Sequence, residues 1–332
     1  MDIKKLILIF CAGSMAGWAN DNAAVLGPVT GYIFDSQMHA IRPMMGIPGA
    51  AYLGAPVVSG LDAASVSPDG SAALAVQAGQ LALYKGLGNA TPAIVPLTGG
   101  MAADYFAWAP SGTAAAVYSS AVRQAEVFSS LSAPSPAGAL IDLSGLAGNV
   151  AAMVYDGQRV ILGVASPNAG GIYVVTPQSA PQLVAAAVNP AGVVLAGADL
   201  YFADKQTRQI WQVRSYATQP APAVFAADAS ISAPAALQIS ADGARLYVAN
   251  AGSRILGVYD VAARSSVESI SLNFVPARLD RFGDASVFLL NTAGQGNTPL
   301  YVLTDRLSRR AVYFVPGTAG AKRPRPFHYK PQ

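Results

Sequence analysis

Residues 239–250 read ISADGARLYVAN, in which a turn containing Asp242 and Gly243 joins a short apolar segment to a second strand-like segment. Asp can hydrogen-bond the local backbone, and Gly supplies the positive φ that a tight hairpin requires. Residues 255–260 and 266–271 are two further strand candidates. This part of the chain therefore predicts a unit of about four short strands.

The same order of strand, glycine-bearing turn and strand occurs six times along the chain. The turn glycines are Gly70, Gly112, Gly157, Gly197, Gly243 and Gly283, so successive turns are 40 to 46 residues apart. Four short strands in such a period make one blade of a β-propeller, whose radially stacked sheets leave only short, protected edges. The repeat therefore predicts an all-β propeller of four-stranded blades.

Other folds with repeats of this length fit the pattern less well. Helical repeats require amphipathic runs of about 10 residues or more, and Gly and Pro interrupt this chain too often for such runs. A two-sheet sandwich is the remaining alternative, but six equivalent modules favour closure into a ring.

The ends of the predicted ring leave the number of blades open. Six modules span residues 61–316, and a further hairpin is predicted at residues 29–46. We interpret that hairpin as the outer half of a blade, because GYIFD at 31–35 matches GVYD at 257–260. It belongs either to a seventh blade or to an addition on a six-bladed ring, and we favour seven.

Residues 240–260 resemble the YVTN-type repeat of WD40-like β-propellers, which combines a P-D-G-like turn, an L-Y-V-x-N strand and a further strand ending in Asp. Residues 67–70, SPDG, keep the turn without the aromatic strand, and residues 200–204, LYFAD, keep the strand without the turn Asp. The resemblance implies a propeller. Such repeats occur in secreted and periplasmic proteins of many functions, so it implies little about mechanism.

Composition and charge argue against a disordered protein and against a protein that binds nucleic acid. The 332 residues are 52% hydrophobic and 12% charged, with a net charge of +3, whereas a disordered chain has low hydrophobicity and high net charge. Apart from KRPR at 322–325, the Lys and Arg residues are dispersed rather than gathered in a stripe, so no nucleic-acid partner is predicted. The 64 Ala and 32 Gly residues suit thin layers that pack closely.

The N-terminus has the pattern of a secretory signal peptide over residues 1–19. Lys4 and Lys5 precede an apolar stretch from Leu6 to Ala19, which is shorter than the roughly 20 residues that span a bilayer. We expect cleavage between Ala19 and Asn20. The propeller domain at 20–316 would then lie in the periplasm or outside the cell, without stable membrane insertion, and would contain no Cys.

The C-terminal residues 317–332 are rich in Pro, Gly, Lys and Arg. This composition is typical of a solvated, disordered tail. The alternative is a basic peptide that contacts an acidic envelope surface.

Residues suited to catalysis are scarce. A zinc site requires three or four ligands and a Ser-His-Asp triad requires one His, but the only His residues are His39 and His328, in a predicted turn and in the tail. Neither a C-x-x-C-H nor a G-x-S-x-G motif occurs. No catalytic residue, metal ligand, binding residue or cofactor is therefore assigned.

Asp residues recur in two places. They lie in the predicted hairpin turns, at Asp69, Asp156 and Asp242, and near module starts, at Asp62, Asp104, Asp199 and Asp280. Asp is preferred in such turns, so we interpret them as turn residues. The alternative is a ring of carboxylates at one mouth of the channel that holds Ca²⁺ through oxygen ligands.

Aromatic residues fall mostly within the predicted strands: Tyr32, Trp108, Tyr155, Tyr201, Trp211 and Tyr247. We expect them to pack in the core or between blades, since alternating strand positions must be buried. The alternative is that some line a groove for a carbohydrate or a peptide.

Three hypotheses for the function follow. The favoured one is a secreted or periplasmic, non-enzymatic and monomeric propeller that acts as a rigid scaffold and binds a protein or glycan at one face. The alternative is a propeller-type enzyme, such as a lactonase, a lyase or a quinone-dependent dehydrogenase, which uses channel carboxylates and a bound cation. A third is a structural component of the envelope or matrix.

Overall fold

A computed structural model describes residues 28–291, 299–306 and 309–316 of the chain, in which 28 strands form seven four-stranded antiparallel sheets. Each sheet is one blade of a seven-bladed β-propeller. The predicted signal peptide 1–19, its cleavage site at Ala19 and Asn20, the tail 317–332 and His328 lie outside the described residues. In the described ranges no helix is long and apolar enough to cross a membrane.

The strands of each blade follow one another along the chain. Blades 1 to 3 contain β1 (Val29–Asp35), β2 (Ala40–Met45), β3 (Tyr52–Leu53), β4 (Val58–Ser59); β5 (Ala63–Val66), β6 (Ala72–Gln77), β7 (Gln80–Lys85), β8 (Ala93–Pro96); β9 (Tyr105–Trp108), β10 (Ala115–Ser119), β11 (Gln124–Phe128) and β12 (Ala139–Asp142). Blades 4 and 5 contain β13 (Asn149–Tyr155), β14 (Val160–Ala165), β15 (Gly171–Thr176), β16 (Ser179–Ala186); β17 (Pro190–Ala196), β18 (Asp199–Asp204), β19 (Gln209–Arg214) and β20 (Ala221–Ala226). Blades 6 and 7 contain β21 (Pro234–Ile239), β22 (Arg245–Asn250), β23 (Ile255–Asp260), β24 (Ser265–Ser271); β25 (Asp280–Phe282), β26 (Asp284–Leu289), β27 (Leu300–Arg306) and β28 (Arg309–Val315).

The repeated turns join the first strand of a blade to the second, as predicted. All six turn glycines have positive φ, between 62° at Gly197 and 101° at Gly157. This is the left-handed region that an L side chain reaches only at a cost. The spacing of these glycines therefore identified six of the seven blades correctly.

Blade 1 differs from the other blades in its third strand, and the prediction for its hairpin at 29–46 is wrong. Its third strand is broken, because β2 pairs with both short strands, Met44 with Leu53 and Ile41 with Val58. The hairpin β1–β2 is the inner half of this blade and not the outer half, since β1 lines the central channel. The similarity of residues 31–35 to residues 257–260 led to the wrong prediction. The alternation of buried and exposed side chains is the same in inner and outer strands, so it does not show how far a strand lies from the axis.

Arg42 binds the end of β3, next to the break in that third strand. Its Nε donates to the carbonyl of Gly54 at 2.9 Å and its Nη2 to the carbonyl of Leu53 at 3.1 Å. Its Nη1 donates to the Asp35 carboxylate at 2.9 Å, and both side chains are only 5% exposed. This buried ion pair therefore ties together the three strand positions of blade 1.

The ring closes by packing between blade 7, which consists of β25–β28, and blade 1, which consists of β1–β4. Among the described strands, none from one end of the chain pairs with the blade at the other end. Ile33 and Met44 of blade 1 share one apolar cluster with Phe282 and Val302 of blade 7. A Cβ on Gly31 would lie 2.9 Å from the Phe282 ring. Blades 1 and 7 thus approach so closely that a side chain at position 31 would force the buried Phe282 ring to shift.

Apolar clusters between neighbouring blades form the core. Leu74 and Leu83 of blade 2, for example, pack with Val117 and Phe128 of blade 3, and all four are buried. Burying such a side chain contributes roughly 1.5–3 kcal/mol. The second strands carry buried alanines, such as Ala73 and Ala115, which agrees with the expectation that small residues let the layers approach closely.

Candidate functional site

A cavity of about 890 Å³ lies on the axis of the ring. Its lining comes from the first strands of all seven blades and from the turns that follow several of them, including Pro68, Pro110 and Gly243. The cavity therefore extends to the mouth of the channel that carries the repeated turns. A volume of this size lies within the range of small-molecule and cofactor sites.

One wall of the cavity is aromatic. Tyr32 and Phe34 on β1 and Phe106 and Trp108 on β9 line it, and all four are partly exposed. We call these four residues the aromatic wall. Each pair is spaced two residues apart on its strand, which places both members on the same face.

The small residues of β5 lie between the two aromatic pairs. Tyr32 and Phe34 pack against blade 2 from one side, and Phe106 and Trp108 pack against it from the other. The Trp108 indole Nε1 donates to the Ser65 hydroxyl at 3.2 Å. The rings are thus held at their edges while part of each surface faces the cavity.

The six predicted aromatic residues divide between packing and cavity. Tyr155 and Tyr201 touch the cavity but are only 2% exposed, and Tyr247 is fully buried between blades 6 and 7. Trp211 stacks on Phe202 in β18 with ring centroids 6.2 Å apart. Packing is therefore confirmed for these four, whereas Tyr32 and Trp108 also present surface to the cavity.

Phe34 and Phe106 are members of the aromatic wall that the sequence analysis did not single out. The available signal was their spacing from Tyr32 and Trp108, which predicts a shared face within each strand. That the two strands flank one blade at the axis follows only from the closed ring.

The other side of the cavity, on blades 5 to 7, is more polar. Arg281 on β25 donates through Nη2 to the carbonyls of Ile239 at 2.8 Å and Ser240 at 3.4 Å. Gln238 donates to the Leu279 carbonyl at 3.1 Å. Burial lowers the pKa of the Arg281 guanidinium below its ordinary value.

The turn aspartates have the role predicted for them. Asp69 accepts hydrogen bonds from the Ser71 amide at 3.2 Å and the Ser71 hydroxyl at 2.6 Å. Asp242 accepts one from the Ala244 amide at 3.0 Å. Burial raises the pKa of Asp69, but its hydrogen bonds outweigh this effect and hold the pKa below its ordinary value.

The aspartates near module starts do not form one ring. Asp62 and Asp104 accept bonds from the Gly79 and Ser120 amides, at the opposite ends of their blades from the repeated turns. Asp199 accepts from the Ser215 amide, and Asp280 pairs with Arg278. Within residues 28–291, 299–306 and 309–316, no group of three His, Cys, Asp or Glu lies close enough to hold a metal ion.

His39 lies in the turn between β1 and β2, where its Nδ1 is 2.9 Å from the carbonyl oxygen of Leu61. It is exposed and does not line the cavity.

Three tyrosine–aspartate hydrogen bonds hold the frame around the cavity. The Tyr216 hydroxyl donates to Asp156 of blade 4 at 2.8 Å, the Tyr259 hydroxyl donates to Asp228 at 2.7 Å, and Tyr247 bonds Asp305 of blade 7. Burial, followed by the bond to Asp156, raises the pKa of Tyr216 to about 12. These phenols are neutral donors at physiological pH and clamp neighbouring segments together.

A second apolar surface lies on the circumference of the ring. The outer strands of blades 2 to 7 each expose one large apolar side chain: Ile94, Leu140, Leu183, Val224, Val267 and Phe314. We call these six residues the outer belt. They are spread around the whole edge, so they do not form one contiguous patch.

Comparison with known proteins identifies the fold and no closer relationship. No family model matches the chain, and no curated protein matches it in sequence. Solved structures do match. A functionally unknown protein from Desulfotomaculum acetoxidans has a TM-score of 0.62 at 11% identity, over 86% of this chain and 99% of its own.

A candidate 6-phosphogluconolactonase from Bacteroides fragilis gives a TM-score of 0.60 at 12% identity, over 87% of this chain and 93% of its own. A protein from Lactobacillus plantarum gives 0.60 at 17% identity, over 86% and 95%. The shared feature is the propeller fold. Membership in the YVTN-type group, as distinct from that fold, stays a prediction.

Proposed function

We propose that this protein is an exported, non-enzymatic β-propeller that binds a glycan or a protein segment at the turn-bearing mouth of its central cavity. The observation that carries the proposal is the aromatic wall, whose four rings are only partly covered by packing. Aromatic side chains joined by a few convergent polar groups are the usual lining of a binding pocket.

The frame supports this proposal because it is built to be rigid. The interblade apolar clusters hold the strands that carry the aromatic wall, and the tyrosine–aspartate bonds hold blades 4 to 7 on the other side of the ring. A site that is already ordered loses less conformational entropy when a ligand binds. A closed ring of seven blades therefore suits a scaffold that presents one preformed site.

Export to the periplasm or the exterior is part of the proposal and rests on residues 1–19. Mass spectrometry of the protein recovered from its exporting host tests it. The expected mass begins at Asn20, and a mass that retains residues 1–19 would contradict cleavage.

Binding at the cavity is tested on a glycan and peptide array with two tryptophan variants. Trp108→Leu removes one ring from the aromatic wall, whereas Trp211→Leu removes a ring that stacks on Phe202 outside the cavity. We expect the best array ligand to bind at least tenfold more weakly to Trp108→Leu and within twofold to Trp211→Leu. Equal losses in both variants would contradict a site at the cavity.

One structural observation supports the enzymatic alternative. Asp199, Asp242 and Asp280 line the cavity, as a mechanism based on channel carboxylates requires. The Bacteroides protein resembles this chain at 12% identity, a level that shows the fold alone. Hydrolysis of a sugar lactone that is lost in Asp199→Asn and Asp280→Asn would establish this alternative in place of the scaffold.

A further inference from the structure

The strongest chemical feature of the cavity is the charge on Arg281. Among the described residues, the hydrogen-bond partners of its guanidinium are the carbonyl oxygens of Ile239 and Ser240, both bound by Nη2. Within the described part of the chain, no carboxylate forms an ion pair with it. Burial lowers the pKa of its guanidinium below the ordinary value.

The other charged groups that line the cavity are already engaged. Arg278 pairs with Asp280, while Asp199 accepts from Gln212 at 3.0 Å, and Gln212 in turn accepts from Arg264 at 3.2 Å. Asp242 lies on the exposed turn and bonds Ser240 and Ala244. Counting partners among the described residues, Arg281 is thus the charged group of this lining whose charge is met by carbonyl oxygens alone.

A guanidinium in this position is suited to bind an anion. It presents several donors in a fixed plane, which matches carboxylate and phosphate groups, and hydrogen bonds to an ionised acceptor are about twice as strong as neutral ones. The aromatic wall supplies flat apolar surface in the same cavity. The guanidinium suits an anionic group, and the aromatic wall suits a ring of the same ligand.

We propose that the cavity binds a ring-containing organic anion, whose carboxylate or phosphate group contacts Arg281 and whose ring lies against the aromatic wall. An acidic sugar and an aromatic acid share this chemistry. The inference rests on the proposed function, since it names the class of ligand that the cavity takes.

A purely structural role for Arg281 is the competing explanation. Its bonds to Ile239 and Ser240 link blade 7 to blade 6, so its loss will lower stability whether or not a ligand binds there. The test must therefore measure binding on variants that stay folded. Thermal unfolding followed by circular dichroism establishes the temperature range in which each variant is native.

The experiment measures the affinity of the full chain for two matched pairs of compounds by isothermal titration calorimetry. One pair is D-glucuronate and D-glucose, and the other is 2-naphthoate and 2-naphthalenemethanol. We expect at least one anion to bind at least tenfold more tightly than its neutral partner. The pair that shows the preference distinguishes a sugar acid from an aromatic acid.

Three variants locate the contact. Arg281→Gln should reduce the affinity for the preferred anion at least tenfold, and Arg281→Lys should reduce it less, because the charge remains and the planar fork is lost. Arg245→Gln is the matched control, since it removes an arginine that is paired with Asp260 and does not line the cavity. It should change the affinity by no more than twofold.

The inference is overturned if neither anion binds more tightly than its neutral partner, or if Arg281→Gln binds as the wild type does. It is also overturned if Arg245→Gln loses as much affinity as Arg281→Gln, because the loss would then follow from the net charge of the protein and not from a contact in the cavity. In each case the proposed function would still hold if a neutral ligand bound the wild type and bound Trp108→Leu more weakly. Array binding that is insensitive to Trp108→Leu would overturn the proposed function itself.

Discussion

At the scale of single residues, the turn glycines share one backbone conformation but differ in their surroundings. Gly243 and Gly283 occupy the same place in blades 6 and 7, with φ of 71° and 65°. A Cβ on Gly243 would meet nothing within 4 Å, whereas a Cβ on Gly283 would lie 1.8 Å from the carbonyl oxygen of Thr30 in blade 1. Glycine is therefore favoured at position 283 for two reasons: its positive φ, and the close approach of blade 1 where the ring closes.

We therefore expect Gly283→Ala to destabilise the protein more than Gly243→Ala. The left-handed φ alone should cost about 1–2 kcal/mol at either position. The clash at Gly283 should add at least about 1 kcal/mol, because the backbone of blade 1 must shift. The midpoints of urea unfolding give the comparison, and equal losses would show that blades 1 and 7 do not approach closely there.

The bond between Tyr216 and Asp156 predicts a dependence of stability on pH. Burial raises the pKa of Asp156, but hydrogen bonds from Arg159, Gln158 and Tyr216 together hold it below its ordinary value. The carboxylate therefore contributes stability above the ordinary pKa of about 4, and this is lost as the pH falls through the folded-state pKa. Tyr216, raised from 10.0 to about 12, contributes stability that is complete below pH 10 and lost between pH 10 and 12.

Tyr216→Phe removes the bond and one of these titrating groups. Its melting temperature should be lower than that of the wild type at pH 7 and should fall less steeply above pH 10. Melting curves followed by circular dichroism between pH 3 and 12 provide the measurement. A variant whose alkaline profile parallels that of the wild type would contradict the assigned bond.

At the scale of strands and blades, blade 1 depends on the buried pair between Asp35 and Arg42. Removing one partner of a buried pair leaves the other charge without compensation, which costs about 3–5 kcal/mol. Arg42→Met should therefore lower the free energy of unfolding by this amount, and the double change with Asp35→Asn should recover part of it.

The pair between Arg278 and Asp280 is the matched comparison for blade 1. Its side chains are 43% and 48% exposed, so Arg278→Gln should cost less than about 1 kcal/mol. Chemical unfolding of the variants tests both values. If Arg42→Met were as mild as Arg278→Gln, the bonds from Arg42 to Asp35 and to the end of β3 would not stabilise the blade.

How far sequence predicts this fold depends on the scale of the feature. The turn chemistry is local, so Asp69, Gly70 and their counterparts identified hairpins and blade spacing. The place of a strand within its blade is not local, which is why the hairpin at 29–46 was assigned to the outer half. The sequence analysis named Tyr32 and Trp108 with a groove as the alternative to packing, but it missed Phe34, Phe106 and Arg281, because their proximity to these residues follows from ring closure.

At the scale of the whole molecule, the ring offers two kinds of apolar surface to a ligand. The aromatic wall is concave, shared between blades 1 and 3, and held by neighbouring blades, whereas the outer belt is divided among separate outer strands. A single small ligand or peptide end can contact several residues at once only in the first. We therefore expect a ligand to bind at the axis of the ring rather than at its edge.

Hydroxyl-radical footprinting by mass spectrometry tests this assignment most directly, with the tightest ligand found on the array. Tyr32 and Trp108 report on the cavity, while Tyr52 and Phe314, which are 49% and 64% exposed, report on the edge of the ring. We predict that the ligand protects Tyr32 and Trp108 from oxidation and leaves Tyr52 and Phe314 unchanged. Protection of Tyr52 or Phe314, with Tyr32 and Trp108 oxidised as in the free protein, would contradict a binding site in the central cavity.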